Sequence, residues 1–169
     1  LQVDGKRLDR AEGEAQKREV AADAAAWLDD FGNDPPRALR ACLKALSLAE
    51  EGSELQAGLR ARLFALGKRL GTLAWEEITR AERNLPAPDP RLLQQRLLHV
   101  ARLWEEGAGE ILRAIESIGQ AYRAALTVPA TDAALREELA AQRPALRAEL
   151  DRLAQKAPSD SEGMGRVVS

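Results

Sequence analysis

Apolar residues recur at three- and four-residue intervals through most of the chain, and the intervals stop where glycine, proline or asparagine intervenes. That is the period of helices that bury one face. The first predicted helix runs roughly from Arg7 to Asp30, carries Val20, Ala24, Trp27, Leu28 and Phe31 as its stripe, and stops at Gly32-Asn33-Asp34. Asp34 before Pro35 is a start signal: a carboxylate caps the free N–H groups, and proline follows where its missing N–H costs nothing. The second helix carries Leu39, Cys42, Leu43, Leu46 and Ala49 to a stop at Gly52. Ser53 can cap a third, through Leu55, Leu59, Leu63, Leu66 and Leu70, which Gly71 ends. A shorter fourth follows through Ala74, Ile78 and Ala81.

Leu85-Pro86-Ala87-Pro88-Asp89-Pro90 cannot be helical throughout, since each proline removes a donor and pushes its predecessor toward extended geometry. Residues 85–90 are therefore the strongest internal boundary of what otherwise reads as a single helical domain over 1–157. The fifth helix shows Leu93, Leu97, Val100 and Trp104 and is expected to end at Gly107. The sixth has Ile111, Ile115, Ile118, Tyr122 and Leu126 in regular spacing. After a turn at Val128-Pro129-Ala130, Thr131 or Asp132 caps a seventh through Leu135, Leu139, Leu146, Leu150 and Leu153. Pro144 is expected to kink or split it. Residues 158–169 are small and polar and are expected to be a disordered tail. Asp4-Gly5 could form a hairpin turn, but no second apolar strand is available to pair across it, so it is taken as the lead into the first helix.

The fold class is therefore all-α, with about seven helices as antiparallel hairpins joined by short turns, in a bundle or a short array. Phe64, Ala57, Ala61 and Ala65 lie opposite the leucines of the third helix, and Ala114, Gly119, Ala121 and Ala125 flank the isoleucines of the sixth. A helix apolar on two sides is expected to be sandwiched between neighbours. From Leu55 to Pro86 the chain resembles a tetratricopeptide unit: Ala74 and Ala81 match the small positions of its second helix, Ile78 the bulky one, and Pro86 the closing proline. Its first helix departs from the family at Ala61, Arg62 and Ala65. A second unit over Arg91–Val128 is looser, because Gly107 and Gly109 interrupt it. The resemblance implies stacked helical hairpins that bind protein.

Composition supports helix over strand, since Ala and Leu supply 58 of the 169 residues and the crowded Val, Ile and Thr only 14. A net charge of −2 gives no global field toward nucleic acid or anionic lipid. No apolar run is long enough to span a membrane. Cys42 is the only cysteine, so no internal disulfide can form, and a cytoplasmic protein is the default expectation.

Candidate chemistry is sparse. His99 is the only histidine and has just Arg96 and Leu103 beside it on its own helix, so an edge or satisfied histidine is expected rather than a metal ligand or base. Cys42 lies on an apolar stripe and reads as a small buried hydrophobe. The all-α nucleotide pyrophosphohydrolases hold Mg²⁺ with two successive carboxylate pairs, each spanning one helical turn. Glu51 with Glu54, and Asp9 with Glu12, have the spacing of one pair, but the first straddles Gly52 and no second pair follows. There is no glycine-rich phosphate loop. The third helix carries Arg60, Arg62, Lys68 and Arg69 and no acid between Leu55 and Leu70. Those cations can contact phosphates, or can snorkel at the edge of a core stripe.

These residues predict no catalytic site, metal or cofactor, and no small-molecule substrate. The expected function is a protein-interaction or scaffolding domain that engages a protein partner or a second copy of itself. A nucleic-acid-associated protein using Arg60, Arg62, Lys68 and Arg69 is the alternative, and a carboxylate-metal nucleotide hydrolase the third.

Overall fold

The computed structural model describes residues 2–128 and 131–158. Among these the chain is all-α, with seven α-helices and no strand: α1 (Gln2–Phe31), α2 (Pro35–Leu48), α3 (Glu54–Leu70), α4 (Thr72–Asn84), α5 (Pro90–Arg102), α6 (Ile111–Leu126) and α7 (Ala133–Lys156). The expected tail beyond Pro158, and Pro129-Ala130 of the expected turn, lie outside the described residues. The Asp4-Gly5 pair lies within α1, so it makes no hairpin. The chain divides into two compact units, Leu1–Ala81 and Glu82–Ser169. The division falls inside α4, slightly before the proline-rich segment over 85–90.

In the first unit α1 and α2 form an antiparallel hairpin, and α3 packs mainly on α2. The sequence builds the turns as anticipated. Asn33 takes the left-handed conformation at φ 47°, the Asp34 carboxylate accepts from Arg37 N, and Ser53 Oγ accepts from Gln56 N at 3.1 Å. The core comprises Ala25 of α1, Leu39, Cys42 and Leu46 of α2, and Leu59, Leu63 and Leu66 of α3. The buried Gln56 fastens the α2–α3 loop: its Oε1 accepts from Gly52 N at 3.0 Å and its Nε2 donates to Glu51 at 3.0 Å. At the C-terminal end of α3, Gly67 lets the Trp75 indole lie flush on the helix, and the Phe64 ring meets that indole edge-on at 5.4 Å.

The second buried face expected of α3 does not form. Ala57, Ala61 and Ala65 are exposed, so α3 is buried on its leucine side only. Phe64 finds its cover in Trp75 and Lys68.

In the second unit α6 lies between α5 and α7, as its small residues predicted: Ala114, Ala121 and Ala125 are all buried. Asp89 caps α5 by accepting from Arg91 N at 2.8 Å, and Asp132 caps α7 by accepting from Leu135 N at 3.1 Å. Arg96 of α5 reaches back to the proline-rich segment and donates from Nη1 to the carbonyls of Leu85 and Pro86, at 2.6 and 2.9 Å. The fifth helix does not run unchanged to Gly107. It widens after Arg102 into a π-helical segment, Leu103–Ala108, which closes where Glu110 N donates to Trp104 O at 2.7 Å and Gly109 turns left-handed at φ 70°. Pro144 does not divide α7. It sits on the exposed side, while Leu139, Leu146 and Leu153, one heptad apart, are buried on the opposite side, Leu139 against Ala125 and Val128 and Leu146 against Leu97 and Ala121.

Candidate functional site

An apolar recess lies in the first unit, on the outer face of the α1–α2 hairpin. It is a groove of about 730 Å³ whose walls include Val20, Ala21 and Ala24 of α1 and Ala41 and Leu48 of α2, with Lys17 and Lys44 also lining it. Its origin is in the sequence of α1. Helical spacing puts Gly13, Lys17, Val20, Ala24, Trp27 and Phe31 on one stripe. The hairpin uses the neighbouring flank instead, where Ala25 is fully buried and Leu28 half-buried. The stripe is therefore left open: Val20 is 67% exposed, Trp27 60% and Phe31 72%. Trp27 and Phe31 pack on each other, ring centres 6.4 Å apart, which covers only part of either. The small residues on both helices make the groove floor, so a side chain entering it would meet methyl groups and backbone.

Charge ties α1 to the end of α2 at one point and to α3 at another. Arg18 donates to Leu48 O at 2.8 Å and pairs with Glu50 at 2.9 Å, joining the middle of α1 to the end of α2. At the second point Arg62 of α3 bridges Asp29 and Asp30 of α1, at 3.0 and 2.9 Å. The hydrogen bonds that Arg62 donates to Asp30, and then to Asp29, raise its pKa above the ordinary value.

The four basic residues of the third helix do not come together as one cationic surface. Arg62 is held by the two aspartates of α1, and Arg60 donates to Gln56 Oε1 at 3.1 Å with Glu51 4.0 Å away. Lys68 stands over the Phe64 ring, 5.7 Å from its centre, and Arg69 lines a small polar recess with Asp29, Asp30 and Asp34. Most of this helix's positive charge thus faces carboxylates of its own unit.

The other candidate groups sit as follows. Cys42 is buried beneath α1, and burial, then the nearby Asp29 charge, push its thiol up to about 11. His99 acquires a neighbour that sequence spacing could not show: its Nε2 lies 3.4 Å from Oε1 of the fully buried Glu82, an ion-pair distance without hydrogen-bond geometry. The buried hydroxyls are committed elsewhere. Ser117 donates to Arg113 O and accepts from Arg83, and Thr79 donates to Trp75 O. Among the described residues no group of three His, Cys, Asp or Glu converges as a metal would require. The side chain of Asp9 lies outside the described residues. No helix among them is long and apolar enough to cross a membrane.

The second unit holds a smaller cleft of about 290 Å³ between α5, α6 and α7, lined by Leu98, Ile118 and Leu146 with Arg102, Glu105 and Glu149 at its polar side. Its charges are largely satisfied within the fold. Glu105 accepts from Arg152 at 2.6 and 2.8 Å and from Lys156 at 2.7 Å, while Arg152 also pairs with Glu149. The hydrogen bond from Arg152, then that from Lys156, pull the Glu105 carboxyl down to about 2. Compared with protein-family models, characterised proteins and solved structures, the chain matches none.

Proposed function

We propose that this chain is a non-catalytic helical interaction domain, and that it binds protein through the outer face of the α1–α2 hairpin. The observation that carries the reading is the exposure of Val20, Trp27 and Phe31 along one stripe beside an apolar groove. Large apolar side chains scattered singly need no explanation, but a contiguous stripe on a grooved face is the mark of an interaction site. Aromatic side chains at such a face supply much contact area for little lost rotamer freedom. A groove floored by alanine and glycine suits the ridge of another helix.

The nucleic-acid alternative draws on Arg60, Arg62, Lys68 and Arg69, and the carboxylates around Arg60 and Arg62 weaken it. The tetratricopeptide likeness concerns residues 55–86, so the hairpin face is argued independently of it. Site-specific photo-crosslinking tests the proposal. A benzophenone side chain in place of Val20 is expected to give a discrete protein adduct in cells, identified by mass spectrometry, whereas the same group at the exposed Glu137 gives none. Adducts at both positions alike, or at neither, would overturn it.

A further inference from the structure

The charges that border the apolar stripe are sorted by sign, and this narrows the occupant of the groove. At about 100° per residue, Glu12, Glu19 and Asp23 line the flank of α1 that points away from α2. All three are exposed. On α2, Arg37, Arg40 and Lys44 line the flank beyond Ala41 and Leu48; all three are exposed, and α2 contains no acid. The outer face of the hairpin is thus a band with an acidic border, an apolar centre and a basic border.

Such a band is complementary to itself under one symmetry and not under another. A two-fold axis running parallel to the helices stacks α1 of one copy over α2 of the next, antiparallel, and sets each acidic border against a basic one. A two-fold axis perpendicular to the helices, lying in the interface, stacks α1 on α1 and sets acid against acid and base against base. Isologous pairing uses the same patch twice, so the order of charges across the patch selects the axis.

We propose that the occupant of this face is a second copy of the chain, packed hairpin on hairpin as a four-helix layer with its two-fold axis along the helices. The inference rests on the proposed role of this face in binding protein. The dimensions allow it. From Gly13 to Phe31 the stripe runs about 27 Å, and two helices side by side are about 20 Å wide, giving about 500 Å² of footprint per copy. Both copies together reach about 1,000 Å², the lower limit for a specific interface, with Val20, Trp27 and Phe31 at its apolar centre. Ala24 and Ala41, small residues on the two helices, let the layers approach closely.

Sedimentation velocity on the full chain across a micromolar concentration series tests the inference, with circular dichroism as the check on folding. The wild type is expected to pass from monomer to dimer, and Val20→Asp to remain monomeric with unchanged helicity. Reversing the acidic border (Glu19→Lys with Asp23→Lys) or the basic border (Arg40→Glu with Lys44→Glu) is expected to raise the dimer dissociation constant about tenfold or more. Combining both reversals in one chain restores dimerisation, because the borders have exchanged signs. A wild type that stays monomeric throughout overturns the inference, as does a dimer insensitive to either reversal. The proposed function then stands or falls separately: a crosslink from position 20 to a different protein retains it, and no crosslink removes it.

Discussion

Two glycines of α3 should respond in opposite directions to the same substitution. A Cβ built on Gly67 lies 2.6, 2.7 and 2.8 Å from three atoms of the Trp75 six-membered ring. Ordinary contacts begin near 3.4 Å, so the indole must retreat. It has little room, because Trp75 is 2% exposed and Phe64 meets it edge-on. Overpacking of this kind costs about 1–3 kcal/mol, and the better helix propensity of alanine returns about 1. Gly67→Ala should therefore destabilise the first unit by about 1 kcal/mol. A Cβ on Gly58 meets nothing within 4 Å, so Gly58→Ala keeps only the propensity gain and should stabilise by up to about 1 kcal/mol. For a unit of this size each kcal/mol moves Tm by about 4–8 °C, which separates the two variants by about 8–16 °C. Thermal and urea unfolding followed by far-ultraviolet circular dichroism measures both. Trp75→Phe removes part of the obstructing ring and should shrink the penalty of Gly67→Ala in a double-mutant cycle. If Gly67→Ala is as stable as Gly58→Ala, the close approach of helix and indole is wrong.

Further outcomes follow from the charges and the thiol. Glu105 has a depressed folded-state pKa of about 2, so its contribution is complete above its ordinary value of 4.5 and is lost as pH falls from there toward 2. Tm against pH should show wild type well above Glu105→Gln at neutral pH and the gap closing through that acid window; a constant gap refutes the linkage. The Cys42 thiol, raised to about 11 by burial and then by Asp29, should resist alkylation at mildly alkaline pH until the chain unfolds. Rapid labelling of the folded protein would contradict its burial.

Helix existence was legible in the sequence because the signals were local. Asp34-Pro35, Ser53 and Asp132 each cap the helix they were expected to cap. What local pattern could not tell was which side of a wide apolar stripe is used. In α1 the large residues Val20, Trp27 and Phe31 suggested the buried face, yet the hairpin closes on Ala25 and Leu28 because small side chains let α2 come nearer. In α3 the error ran the other way, and alanines that looked like a second buried face are exposed. The candidate groove was hidden for the same reason, since it is made by two helices whose spacing is set by tertiary packing. The pairing of Arg62 with Asp29 and Asp30, and of His99 with Glu82, joins residues far apart along the chain, beyond any helical spacing rule.

The Arg96 contact with the carbonyls of Leu85 and Pro86 explains how a segment so poor in N–H groups is held at all. Prolines cannot donate, so a proline-rich connection offers a neighbouring element only acceptors, and its anchor must be a side chain that brings several donors at once. A planar guanidinium does this from a fixed position on a helix, whereas an ammonium on a flexible stem would have to be ordered first. The α4–α5 connection is thus secured from outside itself. Changes among its prolines leave those carbonyls available, while the loss of one arginine some ten residues away releases it.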